Sequence, residues 1–449
     1  MYFDIEETSF KQRYYNILDY GAKCDINYNN QKAIQMAILD CHNNGGGYVI
    51  IPNGLFITGP IKILSNVCLK FEYNSYLKFN KDKDLYPLVR QKDKGSKKIK
   101  CLSPILIDGE TNVGIIGNGV IDGDGDKWRY AKRMKFTDYY WNELLKYSNN
   151  TSMTEEGEYW FPNKNYKDAF LGNIEFDLDS DISKYQDYFA FFRPNFVNIM
   201  SSSKILLKDI TIKNPPAFNL LLTYCDNVII DNIKVLSNDS AQNSDAIDIS
   251  LCENVEVKNC FVSCGDDGIC LKSGTKTDGR KDVYTLKNVY IHDCKVAYAH
   301  GGFVIGSETS GGLSNVWVEN LTFFRTEKGI RIKSAPGRGG DVRDIHIKNI
   351  NMDQIQDEAI FLDMSYNSVD NYGRKVKADN DKAIIKFHDI DISNVVSLKS
   401  KVGIHINGAY ENAIYNIYLN DINLICDKAS YMNNCKDIIQ NNVNIITKE

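Results

Sequence analysis

The sequence contains no run of 18 apolar residues, and its N-terminus lacks both the basic and the apolar region of a secretory signal. The missing apolar run excludes an ordinary transmembrane helix. The opening residues, Met-Tyr-Phe-Asp-Ile-Glu-Glu, give no sign of a cleavable leader. We therefore expect a cytoplasmic protein, or a secreted one if a leader has been removed, that has no contact with a membrane.

Positive charge and metal-binding patterns are also lacking. The formal net charge is -5, which argues against nucleic acid as a partner. An acidic polysaccharide would not be attracted over long range either, so its recognition would need a local basic site. The 12 cysteines show no metal-ligand spacing, so we expect small buried thiols and neither a metal nor a cofactor. Nothing in the sequence indicates the oligomeric state.

What the sequence does contain is a short motif that recurs at intervals of 27 to 34 residues between positions 227 and 344. Each copy begins with Asn or Asp, alternates β-branched and polar residues, and restarts the alternation at a second Asn or Asp. This pattern predicts a strand, a one-residue kink and a second strand, with no helix between copies. Repeats of this length without helices are typical of a parallel β-helix. The copies begin at Asn227, Asn254, Asn288, Asn315, Asp344 and Asn416.

Two segments depart from the repeat. In the first, five apolar residues fall at helical spacing, and Gly45-Gly46-Gly47 ends the segment; the five are Ala33, Ile34, Ala37, Ile38 and Cys41. This pattern predicts a short helix that caps the open N-terminal end of the coils. Residues 128–188 are rich in Tyr, Trp, Lys and Asp, and we interpret them as a long excursion over one face. The predicted fold is therefore an all-β, single-stranded parallel β-helix with a short N-terminal capping helix, forming one domain over residues 1–449.

Four polar segments stand out in the predicted walls, each about one coil after the previous one. Because strands of adjacent coils lie about 4.8 Å apart, these side chains should form a ladder on one face. Arg331 and Lys333 are two residues apart on a strand, so both should point outward while Ile332 points into the core. The segments are Asn243-Ser-Asp245, Gly265-Asp-Asp-Gly268, Ala299-His-Gly-Gly302 and Arg331-Ile-Lys333.

Such a ladder has the residue types of a glycosidase. Asp245, Asp266 and Asp267 would repel one another, and the repulsion is relieved if one of them keeps a proton. That proton can protonate a glycosidic oxygen while the ionised carboxylates activate a water; inverting enzymes hold the two groups roughly 6.5–9.5 Å apart. Arg331 and Lys333 suit the carboxylate of an acidic sugar. Each segment alone could be a structural turn, but the ordered set of four favours a site.

These motifs resemble the polygalacturonase family of glycoside hydrolases (family 28), and the likeness extends from about residue 15 to 425. The resemblance implies a right-handed coil and hydrolysis of α-1,4-galacturonide bonds of pectin by inversion. It implies that Asp266 is the general acid, that Asp245 and Asp267 activate water, and that His300 sets the protonation of the acid. It also implies a set of substrate-binding residues: Asn243, Lys272, Arg280, Arg331, Lys333 and Tyr366.

Two departures from the family pattern are mild, since Ser244 keeps the hydroxyl of the usual Thr and Ala299 leaves the imidazole of His300 available. The basic loop at residues 276–281 and the surroundings of Glu308 resemble the bacterial exo-acting subgroup. We therefore expect exo-cleavage of galacturonides, with the excursion blocking one end of the groove.

Three alternatives stay open at this stage. A related hydrolase could act on rhamnogalacturonan or xylogalacturonan, although the intact His300 and Arg331-Ile-Lys333 favour galacturonic acid on both sides of the scissile bond. A pectate lyase would need Ca²⁺, which the three aspartates could bind. A non-catalytic carbohydrate-binding β-helix would have no need for clustered carboxylates facing basic residues.

Overall fold

The computed structural model describes residues 3–93, 96–146, 153–154, 157–275, 285–366, 383–409 and 412–447. Thirty strands of these residues form one continuous sheet, in which strands of successive coils pair in parallel. The sheet winds around itself, which confirms the predicted parallel β-helix. Within the described residues no helix combines the length and the apolar character that a membrane crossing requires.

Three walls run along the coils. The wall that we call the site wall contains Ile61–Lys62, Ile105–Asp108, Val197–Met200, Leu220–Thr223, Ile247–Ser250, Asp267–Lys272, Gly301–Ile305, Lys328–Lys333 and Glu358–Asp363. The second wall contains Tyr14–Asn16, Gly47–Ile51, Val67–Phe71, Thr111–Gly117, Ser203–Lys208, Asp226–Asp231, Glu253–Lys258 and Leu286–His292. The third contains Gly54–Thr58, Ser75–Phe79, Val120–Asp122, Thr211–Lys213, Lys234–Leu236, Phe261–Ser263 and Lys295–Tyr298.

In the later coils one strand continues across a corner. The strands that run over the second and third walls are Leu313–Phe324, Ile345–Asp353 and Cys435–Thr447. Two longer strands run over all three walls, namely Ile385–Asn407 and Ile414–Asn433. The short strand Gly340–Val342 pairs with the starts of Leu313–Phe324 and Ile385–Asn407.

The recurring Asn explains how the chain turns these corners. Asn254 and Asn288 both have φ of +55°, the left-handed conformation that Asn tolerates better than most residues. Their side chains stack from coil to coil: the Asn288 amide donates to Asn254 Oδ1 at 2.8 Å, and the Asn315 amide donates to Asn288 Oδ1 at 2.7 Å. The same residue type therefore makes the bend and ties adjacent coils together.

Apolar side chains from all three walls fill the coil in one continuous cluster that extends from Ile17 to Leu424. The predicted capping helix is present at Gln31–Asn43, and its residues Ala33, Ile34, Ala37, Ile38 and Cys41 are buried against that cluster. Ten of the twelve cysteines are buried, and none forms a disulfide. They act as small apolar residues of the interior, as predicted.

The excursion, residues 128–188, packs around a second apolar cluster of its own that includes Trp128, Tyr130, Phe161 and Tyr166. It contains the helices Asp138–Leu145 and Lys164–Phe170 and the strand pair Ala131–Lys132 with Tyr159–Trp160. The antiparallel hairpin of Leu88–Asp93 and Ser96–Cys101, which the repeat pattern does not predict, adds Leu88 and Ile99 to this cluster. Short 3-10 turns lie at Ile17–Tyr20, Lys83–Leu85, Gly125–Lys127, Arg133–Lys135 and Ile182–Tyr188.

Candidate active site

The acidic segments and His300 of the predicted ladder lie at the upstream ends of adjacent strands of the site wall, and Arg331 and Lys333 lie further along the strand Lys328–Lys333. Asp267 pairs in register with Gly301, which pairs with Lys328, and Val304 pairs with Arg331. Asp245 precedes the strand Ile247–Ser250, and His300 precedes Gly301–Ile305. The register therefore brings the acidic segments, the histidine and the Arg-Ile-Lys strand together on one face.

Asp267 is held by two cations. Arg331 Nη1 lies 3.2 Å from its Oδ1 and Lys333 Nζ lies 2.8 Å from its Oδ2, and all three side chains are buried. Burial raises the pKa of the Asp267 carboxyl, but the charges of Lys333 and Arg331 outweigh it, so the pKa lies below the ordinary value. Asp267 is thus an ionised carboxylate in this site.

Asp266 contacts a different set of groups. Its Oδ1 lies 3.2 Å from His300 Nδ1 and accepts the backbone N–H of Asp267 at 3.1 Å. The other ring nitrogen of His300, Nε2, lies 3.1 Å from Nζ of Lys135. Burial raises the pKa of Asp266, and the nearby His300, Lys135 and Lys333 more than offset this, so its pKa is also lowered.

Asp245 is the carboxyl with the opposite tendency. It is buried, and Lys272 Nζ bridges it at 2.9 Å to Asp248, which lies 2.7 Å from the same nitrogen. Burial raises the pKa of Asp245 well above the ordinary value even though Lys272 opposes the rise. Asp266 and Asp267 add to the rise, because each is a neighbouring negative charge. The environments therefore push the pKa values of the three carboxyls apart.

The first polar segment is held by its neighbours. Asn243 has φ of +53°, and its Oδ1 accepts from Arg193 Nη2 at 2.8 Å. Ser244 Oγ donates to the carbonyl of Ala241 and accepts the N–H of Gly265 at 2.9 Å. The hydroxyl at position 244 thus braces the turn that carries Asp266, which is why serine can stand where the family pattern has threonine.

Tyr366, Arg331 and Lys272 are predicted substrate-binding residues that the structure describes, whereas Arg280 is not described. The ring of Tyr366 lies 5.5 Å from the Arg331 guanidinium and 5.3 Å from the Lys333 ammonium. Arg331 Nε is buried without a hydrogen-bond partner among the described residues. Lys272 lies against Asp245 and Asp248, as described above. Arg280 lies outside the described residues, so its predicted role stays a prediction.

Asp266, Asp267 and His300 are the one group of three metal-ligand side chains in the described part of the chain whose ligand atoms lie within 4.8 Å of one another. Each of them already contacts a basic group, since Arg331 and Lys333 contact Asp267 and Lys135 contacts His300. Basic groups in these positions repel a metal ion and use the lone pairs that it would need. The arrangement thus suits an anionic ligand better than a cation.

Sequence reasoning missed Lys135 and Arg193 because both lie outside the repeat, where spacing carries no information on position. Lys135 belongs to the excursion, and Arg193 lies five residues after its end. Asp248 contacts Lys272 and was not predicted as a site residue. The sequence signal is an Asp between two isoleucines, Ile247 and Ile249, and the structure shows that its carboxyl is fully buried.

Comparison with known proteins agrees with this geometry. The family model described as glycosyl hydrolases family 28 matches residues 186–444. An exo-poly-alpha-D-galacturonosidase of Dickeya chrysanthemi is 27% identical over 414 residues, which cover 88% of this chain and 64% of that relative. The chain thus spans less than two thirds of the length of the Dickeya protein.

Solved structures show the same fold. An exopolygalacturonase from Thermotoga maritima, described as hyperthermoactive, superposes with a TM-score of 0.76 at 25% identity, covering 97% of this chain and 94% of that one. A family 28 exopolygalacturonase of Yersinia enterocolitica gives a TM-score of 0.77 at 23% identity, covering 97% and 76%. The expected right-handed coil is confirmed by such neighbours. With more than half of its length matched by the family model, the chain belongs to the glycosyl hydrolases of family 28.

Proposed function

We propose that this protein hydrolyses α-1,4-galacturonide bonds of pectin-derived galacturonides with inversion, releasing sugar from one end of the chain. The observation that carries the proposal is geometric: Asp245, Asp266 and Asp267 lie on adjacent coils, His300 contacts Asp266, and Arg331 and Lys333 contact Asp267. Carboxyls with such different neighbours can divide the work of acid and base.

In the proposed reaction Asp266 donates a proton to the leaving glycosidic oxygen. Asp267, kept ionised by Arg331 and Lys333, orients and deprotonates the attacking water together with Asp245. Because the water attacks from the face opposite to the leaving group, the anomeric configuration inverts. Because the pKa of Asp266 is lowered, this carboxylate must take up a proton before each turnover.

The substrate class is supported by the cations that line the site. Arg331 has five N–H donors and Lys333 has three, which is more than their contacts with Asp267 and with the carbonyl of His300 use. Both can bind the carboxylate of galacturonic acid while holding Asp267. The same cations disfavour the Ca²⁺ that a pectate lyase requires. A non-catalytic wall would gain nothing from carboxylates buried at such cost.

Exo-action is supported by the position of the excursion. Lys135, from its 3-10 turn Arg133–Lys135, reaches the carbonyl of Gly265 at 2.6 Å and the ring of His300. The excursion thus borders the carboxyl cluster directly, where it can close one end of the groove. The relative from Dickeya chrysanthemi and the structure from Thermotoga maritima both carry exo-acting names.

Mass spectrometry of early products from a defined oligogalacturonide in ¹⁸O-labelled water tests this function. We expect monomer or dimer together with the chain shortened by that unit, one ¹⁸O per cleavage, and inverted anomeric configuration by proton NMR. Fragments from cleavage in the middle of the oligomer among the first products would refute exo-action. Unsaturated products that absorb in the ultraviolet and vanish with a chelator would establish a lyase instead.

The Asp266→Asn variant tests the acid. It keeps the shape of the side chain but cannot deliver a proton, so kcat should fall by about 10²–10⁴ while the protein still folds. Asp231→Asn, on the second wall, is the matched control and should keep activity. Equal activity of the two variants would contradict the assignment.

A further inference from the structure

The contact between Lys135 of the excursion and His300 has a defined donor and a defined acceptor. Lys135 is half-buried, and its ammonium nitrogen donates to the carbonyl oxygen of Gly265 at 2.6 Å and lies 3.1 Å from Nε2 of His300. An ammonium has only donors, so the ring nitrogen that meets it must accept. Nε2 of His300 therefore carries no hydrogen.

A neutral imidazole with a bare Nε2 carries its hydrogen on Nδ1. That atom faces Oδ1 of Asp266 at 3.2 Å, which can accept it. Oδ1 also accepts the backbone N–H of Asp267 at 3.1 Å. Two N–H groups thus point at Oδ1, and a proton on the carboxyl of Asp266 is directed to the other oxygen, Oδ2.

The opposite tautomer would reverse this arrangement. With its hydrogen on Nε2, the ring would present a bare Nδ1 to Asp266 and draw the acid proton onto Oδ1, away from the glycosidic oxygen. We propose that Lys135 is a positioning residue that fixes His300 as the Nδ1–H tautomer and so keeps the proton of Asp266 on Oδ2, the oxygen that no described residue contacts by a hydrogen bond. The kinetic consequence of this proposal rests on the proposed function of Asp266 as the acid, whereas the assignment of the tautomer does not.

The tautomer can be measured without any activity. In protein labelled with ¹⁵N-histidine, long-range ¹H–¹⁵N spectra distinguish the two neutral tautomers and the imidazolium. The chain has six histidines, and a His300→Gln variant assigns the signal. We expect the Nδ1–H form in the natural protein. Lys135→Met should reduce the Nδ1–H fraction at least threefold, because the group that forbids a hydrogen on Nε2 is gone.

Two further variants separate the hydrogen bond from general charge and from folding. Lys135→Arg keeps a cationic donor and should preserve the tautomer. Lys167→Met removes another half-buried lysine of the same excursion that has no contact with His300 among the described residues, and it should leave the signal unchanged. An unchanged His300 spectrum in Lys135→Met would overturn the proposal, as would an equal change in Lys167→Met. Thermal unfolding of each variant verifies that it is folded.

Kinetics add a second readout. Lys135→Met should lower kcat about tenfold with KM within about twofold, and Lys135→Arg should restore most of kcat. A rise in KM with unchanged kcat would show instead that Lys135 binds substrate, and would overturn the positioning role. If the protein proved inactive on galacturonides, the proposed function would fail while the tautomer measurement would still decide this inference.

Discussion

Replacing Lys272 with methionine should destabilise the folded protein, because its ammonium neutralises two buried carboxylates at once. Nζ lies 2.9 Å from Asp245 and 2.7 Å from Asp248, and the side chains of Lys272, Asp245 and Asp248 are 7%, 5% and 0% exposed. Methionine fills much of the same volume without the charge. Removing one partner of a buried ion pair costs about 3–5 kcal/mol.

The cost depends on pH in a way that the structure determines. Without Lys272, a buried carboxyl can escape its unpaired charge by taking a proton. Holding a carboxyl with an ordinary pKa near 3.9 protonated costs about 4 kcal/mol at pH 7 but only about 1.5 kcal/mol at pH 5. Lys272 opposes the rise that burial causes in the pKa of Asp245, so removing Lys272 raises that pKa further. The folded variant therefore binds an extra proton, and its stability falls as pH rises from about 4. The loss relative to the natural protein should shrink by more than half at pH 5.

Guanidinium unfolding followed by tryptophan fluorescence, at pH 5 and pH 7 and equal ionic strength, measures both effects. Lys287→Met is the matched control: its partner Glu253 lies at 2.9 Å, but both side chains are more than 40% exposed, so the loss should stay below about 1 kcal/mol. Adding Asp248→Asn to Lys272→Met should recover part of the stability, because one of the two unpaired charges is removed. A loss as small as that of Lys287→Met, or one that is equal at both pH values, would refute the reasoning.

Two further predictions concern residues that hold the site and the bends. Arg193→Met removes the donor of a charged hydrogen bond to Asn243, and such a bond is worth about 1.5–3 kcal/mol. This loss should lower kcat/KM roughly 10- to 100-fold in steady-state kinetics. An unchanged kcat/KM would show that Asn243 needs no such support. Asn288→Ala should lose about 2–3 kcal/mol of unfolding free energy, because it loses the stacked hydrogen bonds and alanine disfavours φ of +55°. Asn288→Gly loses the same hydrogen bonds but tolerates this φ, so it should lose about 1 kcal/mol. Equal shifts of the denaturation midpoint would contradict a role for the left-handed bend.

The fold was predictable because the repeat is local. Asn254 and Asn288 each start a copy of the motif, and the left-handed bend and the stacked amide are properties of Asn itself. The alternation after each bend decides which side chains enter the core. The hairpin of Leu88–Asp93 and Ser96–Cys101 was not predictable in this way, since its packing against the excursion depends on contacts between segments far apart in sequence.

For the site, the sequence by itself determined the ladder: Asp245, Asp266, Asp267 and His300 recur about one coil apart, and parallel pairing must then bring them to one face. Only the tertiary structure decided how these groups are paired. That Lys272 neutralises Asp245, and that Arg331 and Lys333 contact Asp267, depends on side-chain reach across coils, which spacing does not encode.

The position of Lys135 was the part of the site that the sequence predicted least. This lysine belongs to a segment without periodicity, and its contact with His300 exists because the aromatic cluster of the excursion sets where that segment rests on the coils. Repeats fix positions relative to their neighbours, whereas an insertion is positioned only by what it packs against. The proposed catalytic groups could therefore be predicted from the sequence, and Lys135, the residue that we propose orients one of them, could not.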